Sequence, residues 1–102
     1  MPLDVRSALL QALISGPNYG LGLIDHVKET TKGHVLLLEG RVSPALRELE
    51  SDGLLESYEA DASPERGGRP RRYYRLTAEG RRVARQEARS LIGLLSPALE
   101  RA

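Results

Sequence analysis

The chain has 102 residues, no cysteine and a net charge of +1, which limits it to one domain with a modest core and excludes disulfide frameworks and thiolate chemistry. The charge is unevenly distributed, because residues 1–62 contain five basic and ten acidic residues, whereas residues 63–89 contain nine arginines and three glutamates. Such a basic block in a nearly neutral chain indicates either a surface that binds polyanions or a solvated, arginine-rich face.

The first residues lack the basic region and apolar run of a signal peptide, and no stretch of ~18 apolar residues occurs in the chain. We therefore expect neither a signal peptide nor a membrane span. The absence of cysteine favours a cytoplasmic location.

Two helices are predicted in the first third of the chain. Residues 2–15 are predicted to form a mostly buried first helix that ends at Gly16-Pro17. Asn18 stands at the expected N-cap of a second helix, which closes over residues 30–33. One face of the second helix is predicted to carry Tyr19, Leu23, Ile24 and Val27.

A short strand and a third helix are predicted next. The apolar run Val35–Leu38 is too short for a helix and indicates a small strand. Pro44 is predicted to open the third helix or to lie in its first turn, where a missing backbone N–H costs nothing. Asp52-Gly53 ends this helix. Its buried stripe follows the spacing i, i+4, i+7 and consists of Val42, Leu46 and Leu49.

The periodicity then changes to that of strands. Residues 54–60 and 71–76 are predicted as strands, and the loop over residues 61–70 between them is rich in turn formers and charge. Together they form a hairpin, with Leu76 pointing inward. One face of the second strand carries Arg72, Tyr74 and Leu76, and the other carries Arg71, Tyr73 and Arg75.

A long helix is predicted from about Ala78 towards the C-terminus, capped by Thr77 and kinked or interrupted at Ser96-Pro97. A single small domain has no second layer to cover the apolar stripe of this helix, so we predict a homodimer whose interface the first helix joins. The heptad-like stripe consists of Ala84, Ala88, Leu91, Leu95 and Ala98, and the predicted interface residues are Leu91, Ile92, Leu95 and Leu99.

The order of these elements, with three sequence stretches, resembles the PadR family of winged-helix transcriptional regulators. The stretches are LLQALISGPNYGLGLIDHV, EGRVSPALRELESDGLLES and RRYYRLTAEGRR, at residues 9–27, 39–57 and 71–82. The resemblance implies a mainly α fold with a small β-hairpin, in which residues 1–77 form a winged helix-turn-helix DNA-binding domain and residues 78–102 a dimerisation helix. It also implies a homodimeric repressor that occupies an operator on double-stranded DNA, and no cofactor is predicted.

The DNA-binding residues are predicted from the polar front that a helix in the major groove requires. In the third helix Arg41, Ser43 and Arg47 supply this front, and arginine best matches guanine O6 and N7. The family usually has a tyrosine in place of Ser43, so that tyrosine's contact and a known operator sequence are not carried over. The full predicted set is Tyr19, Gly20, Arg41, Ser43, Pro44, Arg47, Arg66, Arg69, Arg71 and Arg72.

The arginines of the hairpin and the start of the second helix are expected to contact the DNA backbone. Arg66 and Arg69 near the loop tip suit phosphate or minor-groove contacts that read little sequence. The N–H groups at the start of the second helix, at Tyr19 and Gly20, are suited to hold a phosphate. For the Tyr19 side chain, a hydroxyl contact and a place in the core are equally open.

No catalytic or metal-binding constellation is predicted. His26 and Glu29 lie one helical turn apart, but His34 lies beyond the helix end, and two ligands do not make a metal site. Gly67-Gly68 lacks the Lys-Ser/Thr pair of a phosphate-binding loop. Because the chain has no Trp or Phe and no tyrosine in the terminal helix, an aromatic effector pocket at the dimer centre is not expected, and any effector ligand is unknown.

Two other functions remain open. The acidic first half favours a winged-helix module that binds another protein through the hairpin loop and terminal helix. The basic block alone is also compatible with a nonspecific nucleic-acid binder, either architectural or directed to RNA.

Overall fold

The structure of the protein, a computed structural model, describes residues 4–101, except for the side chains of Ser96 and residues 98–101. A two-stranded hairpin follows three helices, so the predicted winged helix-turn-helix fold is confirmed. A short 3-10 helix, Pro64–Arg66, lies in the hairpin loop. The helices are α1 (Val5–Leu13), α2 (Gly20–Thr30), α3 (Glu39–Ser51) and α4 (Ala78–Arg101), and the strands are β1 (Asn18–Tyr19), β2 (Leu55–Ala60) and β3 (Arg71–Leu76).

The first two helices differ from the prediction at their starts. The carboxylate of Asp4 caps α1 by accepting a hydrogen bond from the N–H of Ser7 at 2.8 Å. The predicted start at Pro2 lies outside the described residues. The prediction that Asn18 caps α2 is wrong, because the backbone of Asn18 and Tyr19 is extended and pairs with β3, so Tyr19 takes the N-cap position.

The predicted strand over Val35–Leu38 is wrong. Leu37 is buried while Leu36 and Leu38 are exposed, so burial alternates as in a strand. However, β1 occupies the edge of β3 and gives the sheet the order β1-β3-β2. The segment joins no strand, and the N–H of Val35 donates instead to the Thr31 hydroxyl at 3.0 Å.

The prediction that Pro44 opens the third helix or lies in its first turn is also wrong. The carbonyl of Leu38, the N-cap of α3, accepts from the N–H groups of Arg41 and Val42 at 2.9 and 3.0 Å, so the helix begins at Glu39. Pro44 therefore lies in the second turn, where it removes only the hydrogen bond that the Gly40 carbonyl would accept. The predicted stripe of Val42, Leu46 and Leu49 is buried, as expected.

α3 ends in a Schellman motif, in which the two residues after the cap turn back onto the last helical turn. Gly53 has φ 79°, a left-handed conformation that glycine adopts without steric cost. The N–H of Gly53 donates to the carbonyl of Glu50, and the N–H of Leu54 donates to the carbonyl of Leu49, both at 3.0 Å. The predicted stop at Asp52-Gly53 is confirmed.

The hairpin has the predicted faces. β3 covers the predicted residues, and the antiparallel register pairs Leu55 with Leu76 and Ala60 with Arg71. Tyr74 and Leu76 are buried on the inner face, where they pack with the helices. Arg72 follows the same face towards the loop and is exposed, as expected.

α4 packs its first half on the core and extends beyond it. The hydroxyl of Thr77 accepts from the N–H of Gly80 at 3.0 Å, which confirms the predicted cap. Gln11 on α1 donates to the carbonyl of Ala84, which is fully buried. The predicted interruption at Ser96-Pro97 is wrong, because a proline removes only one helical hydrogen bond and α4 continues to Arg101. The alternative, a kink at Ser96-Pro97, stays a prediction. Within the described residues, none of the helices is both long enough and apolar enough to cross a membrane.

Candidate nucleic-acid interface

A groove runs between α3 and the hairpin, and the start of α2 forms its floor. We call the hairpin of β2 and β3 with its loop, residues 55–76, the wing, and this groove the α3–wing groove. It consists of two adjoining concavities that share Gly20, Ser43 and Arg72. Its lining includes seven of the ten residues predicted to bind DNA, namely Tyr19, Gly20, Ser43, Arg47, Arg66, Arg71 and Arg72.

Arg47 and Ser43 face this groove, whereas Arg41 does not. Arg41 lies with Pro44 and Glu48 in a separate concavity beside the start of α1. The positions of Arg41 and Ser43 differ by about 160° around the helix axis at 100° per residue. α3 therefore presents two polar flanks, one with Arg47 towards the wing and one with Arg41 towards α1.

Arg47 is exposed and has no hydrogen bond or ion pair with any residue that the structure describes. The neighbouring glutamates are engaged elsewhere. Glu48 accepts from Arg6 on α1 at 3.1 Å, and Glu50 accepts from the Ser57 hydroxyl and lies 3.5 Å from the Arg72 guanidinium. The guanidinium of Arg47 is thus available to a ligand in the groove.

Arg71 and Arg72 at the start of β3 are held in place by acidic and aromatic neighbours. Arg71 forms an ion pair with Asp61 at 2.6 Å and lies 4.3 Å from the centroid of the Tyr19 ring. Arg72 faces α3, and interactions with Tyr74, and more weakly with Glu50, raise its pKa above the ordinary value. Both guanidinium groups remain charged and positioned at the groove wall.

Arg66 and Arg69 belong to the loop tip and differ in their surroundings. Arg66 ends the 3-10 helix, is half-buried and donates from Nε to the carbonyl of Arg69 at 3.2 Å. It also lines the groove, whereas Arg69 is exposed outside it. Neither side chain forms an ion pair within the part of the chain that the structure describes.

A row of three tyrosines crosses the outer face of the sheet, and sequence analysis did not identify it. Tyr73 on β3 is paired in register with Tyr19 on β1 and Tyr58 on β2. The Tyr73 ring lies 5.4 Å from the Tyr19 ring and 5.8 Å from the Tyr58 ring, centroid to centroid. The row ties the wing to the segment before α2. Tyr19 therefore has a structural role, because its ring packs on Tyr73. The row could not be predicted, because the register of the strands is needed to place the three rings side by side.

Acidic side chains also line the groove. Asp25 on α2, Glu39 at the start of α3 and Glu50 near its end lie opposite the arginines. Because they repel a polyanion, favourable contacts must be made at the arginines and at the helix N-terminus. No group of three or more metal-binding side chains occurs among residues 4–101, as far as these are described.

The sequence of the chain matches a family model over residues 9–86, which run from the middle of α1 into the first half of α4 and include every predicted DNA-binding residue. The model describes the PadR-like family of transcriptional regulators. The chain belongs to this family. It is a regulator rather than an enzyme, in agreement with the lack of a predicted catalytic constellation.

Solved structures share the PadR-like fold. A transcriptional regulator from Clostridium thermocellum is 25% identical, with a TM-score of 0.75 over 95% of this chain and 87% of its own. A PadR family regulator from Clostridium difficile R20291 is 26% identical, with a TM-score of 0.64 over 93% and 97%. Bacillus subtilis PadR, solved in complex with operator DNA, is 18% identical, with a TM-score of 0.71 over 82% of this chain and 46% of its own. No curated protein sequence matches the chain at a significant level.

A second surface of this PadR-like chain is apolar and lies between α1 and α4. It is lined by Ser7 and Gln11 on α1 and by Ala88, Leu91 and Leu94 among others on α4. Leu94 is 67% exposed, and Leu91 and Leu95 are 37% and 46% exposed. Ile92 is also exposed, and the predicted interface residue Leu99 has its side chain outside the description.

Proposed function

We propose that the protein is a homodimeric repressor that places the α3–wing groove on operator DNA and blocks transcription by occupying it. The observation that carries the proposal is the position of Arg47. It is an exposed, unpaired arginine of α3, among the residues described, and it faces the same groove as the wing arginines. Bacillus subtilis PadR, which shares the fold, has been solved with operator DNA, and this supports DNA as the ligand.

Sequence reading is assigned to the wing flank of α3. The buried stripe anchors the opposite face of the helix, so Ser43 and Arg47 are presented outwards. The fork of an arginine matches O6 and N7 of guanine, and Ser43 is short enough for the backbone of α3 to approach the bases. Arg41 and Pro44 lie on the other flank, where Arg41 is placed to reach the phosphate backbone beside α1.

The wing and α2 supply contacts to the DNA backbone. Arg66 and Arg69 are held on the loop without acidic partners in the described structure, which suits phosphate binding independent of sequence. Arg71 and Arg72 line the wall of the groove that the wing forms, and the N–H groups at Gly20 lie at its floor. Seven residues of the proposed DNA-binding set therefore line one groove, whereas Arg69 lies outside it on the loop, and Arg41 and Pro44 lie on the other flank of α3.

The second surface is proposed as the dimer interface. Leu91, Leu94 and Leu95 project from the part of α4 beyond the core, and α1 lines the same surface with Ser7 and Gln11. A two-fold related copy would bury these leucines against its own α4 and α1. In this assignment residues 1–77 bind DNA and residues 78–102 dimerise, although Ala84 already belongs to the shared core.

The test is selection of bound sequences from a random DNA pool, followed by competition with random DNA. We expect an inverted repeat, because two-fold protein symmetry requires one, and an affinity ratio of ~10³ or more over random DNA. Equal affinity for all sequences would instead identify a nonspecific binder. Absence of any DNA binding would favour the protein-interaction module. Repression is then measured with a reporter promoter that overlaps the selected site.

A further inference from the structure

The end of α3 and the start of α4 meet at a small contact, which we call the α3–α4 joint and which consists of Gly53, Leu54, Thr77 and Gly80. Gly53 and Leu54 form the Schellman turn that ends α3, and Thr77 and Gly80 form the first turn of α4. The main-chain atoms of Leu54 join the two helices, because its N–H donates to Leu49 of α3 and its carbonyl accepts from the N–H of Thr77, both at 3.0 Å.

The hydroxyl of Thr77 adds a second bond across the joint. It donates to the carbonyl of Gly53 at 2.7 Å, and it also caps α4 by accepting from the N–H of Gly80 at 3.0 Å. The end of α3 and the start of α4 are therefore connected by two hydrogen bonds, one from the N–H and one from the hydroxyl of Thr77. Neither of them depends on a long, flexible side chain.

Gly80 makes the joint tight. It is buried, and a Cβ at this position would lie 1.9 Å from the carbonyl oxygen of Leu54 and 2.8 Å from its carbonyl carbon. Side-chain carbons essentially never approach another atom to less than 3.0 Å. Any residue other than glycine would therefore have to move α4 away from the Schellman turn by about 1 Å.

We propose that Gly80 and Thr77 are positioning residues that set the direction of α4 relative to α3, and with it the spacing of the two half-sites that a dimer reads. The inference rests on the proposed dimeric function. Gly80 lies about 4.5 Å along the axis from Thr77, so a displacement of about 1 Å tilts α4 by roughly 14°. At Leu91, about 21 Å along the axis, this tilt amounts to about 5 Å, or one to two base pairs of DNA.

The matched control is Gly93→Ala in the same helix. A Cβ at Gly93 meets no atom within 4 Å, and the residue is two positions from both Leu91 and Leu95, on the opposite side of the helix. Both substitutions replace a helical glycine by alanine, which favours the helix to a similar extent. Only Gly80→Ala places a methyl group against the end of α3.

The spacing is measured first without DNA. Because the chain has no cysteine, Ser51→Cys at the exposed end of α3 introduces one site for a spin label per subunit. Pulsed electron paramagnetic resonance then gives the distance between the labels on the two α3 helices of the dimer. We expect Gly80→Ala to shift or broaden this distance by several ångströms, whereas Gly93→Ala leaves it unchanged. Thr77→Val, which keeps the volume but removes the bridging hydroxyl, should act in the same direction, and Thr77→Ser should restore the original distance.

The second readout is the preferred half-site spacing in a DNA pool with fixed half-sites and variable separation. We expect Gly80→Ala to keep the half-site sequence and to change the optimal separation by at least one base pair, or to lose the preference. If both Gly80→Ala and Thr77→Val leave the distance between the α3 helices and the preferred half-site separation unchanged, the two residues do not set the direction of α4. The proposed function would not be affected by that result. A monomeric unmutated protein would overturn both. If Gly80→Ala fails to fold, Thr77→Val decides the outcome.

Discussion

The carboxylate of Glu50 on α3 lies 3.5 Å from the guanidinium of Arg72 on β3 and joins the two walls of the α3–wing groove. Glu50 also accepts a hydrogen bond from Ser57, so it is fixed in place. A carboxylate in this position both repels phosphate and holds an arginine that would otherwise be available to DNA.

Glu50→Gln should therefore strengthen DNA binding. The amide keeps a partner for Ser57 but removes the negative charge, and we expect a gain of roughly 1 kcal/mol, or about fivefold, on operator and random DNA alike. The slope of log K against log salt should become steeper by about one if Arg72 then binds a phosphate. Glu56→Gln is the control, because Glu56 pairs with Arg75 on the outer face of the sheet, away from both flanks of α3. Weaker operator binding by Glu50→Gln would show that Glu50 itself reads a base.

Arg47→Ala should weaken operator binding by roughly 1–3 kcal/mol and random DNA binding much less, since the lost contact is to a base edge. Arg47→Lys should recover only part of the loss, because an ammonium group does not fork onto two acceptors. Thermal unfolding should be unchanged, as Arg47 is exposed and without a protein partner in the described residues. Titration of both DNAs checks this, with Arg89→Ala on the exposed surface of α4 as control. Equal losses on both DNAs would make Arg47 a phosphate contact.

Arg66→Ala combined with Arg69→Ala should weaken binding to operator and random DNA by similar factors. Each lost phosphate contact should reduce the slope of log K against log salt by about one. Fluorescence anisotropy titrations over a range of salt concentrations measure both quantities. Loss of operator binding with normal random-DNA binding would contradict the assignment and place base reading in the wing.

Leu91→Asp combined with Leu95→Asp should give a monomer or an unfolded chain and abolish operator binding. Two carboxylates on the apolar surface of α4 are incompatible with a dry interface between subunits. Sedimentation velocity at micromolar concentration checks the oligomeric state, and circular dichroism separates a folded monomer from an unfolded chain. The dimer itself would be refuted by a stable monomer of the unmutated protein under these conditions.

The elements with a clear period could be predicted from the sequence, and those fixed by distant partners could not. β3 and the buried stripe of α3 were identifiable because their residues alternate or recur every three to four positions. The strand β1 has two residues, which is too short to show a period. Val35–Leu38 has a strand-like composition, but whether it forms a strand depends on which segment pairs with the free edge of β3, and β1 takes that place.

The candidate site follows the same division. The residue types and their order along the chain predicted a third helix with a polar, arginine-bearing front and an arginine-bearing hairpin loop. The sequence did not indicate that Arg41 and Ser43 lie on opposite flanks of α3, because this required the helix to begin at Glu39. Nor did it indicate that Glu48 is engaged by Arg6, a partner 42 positions away along the chain.

The exposed leucines of α4 make the concentration of DNA-binding dimer depend steeply on the cellular concentration of the chain. In the proposed assembly, Leu91, Leu94 and Leu95 are covered only when two chains associate. Below the dissociation constant of the dimer, the amount of dimer grows with the square of the total chain concentration, so a twofold fall in synthesis lowers the concentration of dimer about fourfold. A fall in the concentration of the protein, with no small-molecule inducer, would then suffice to relieve repression of the promoter.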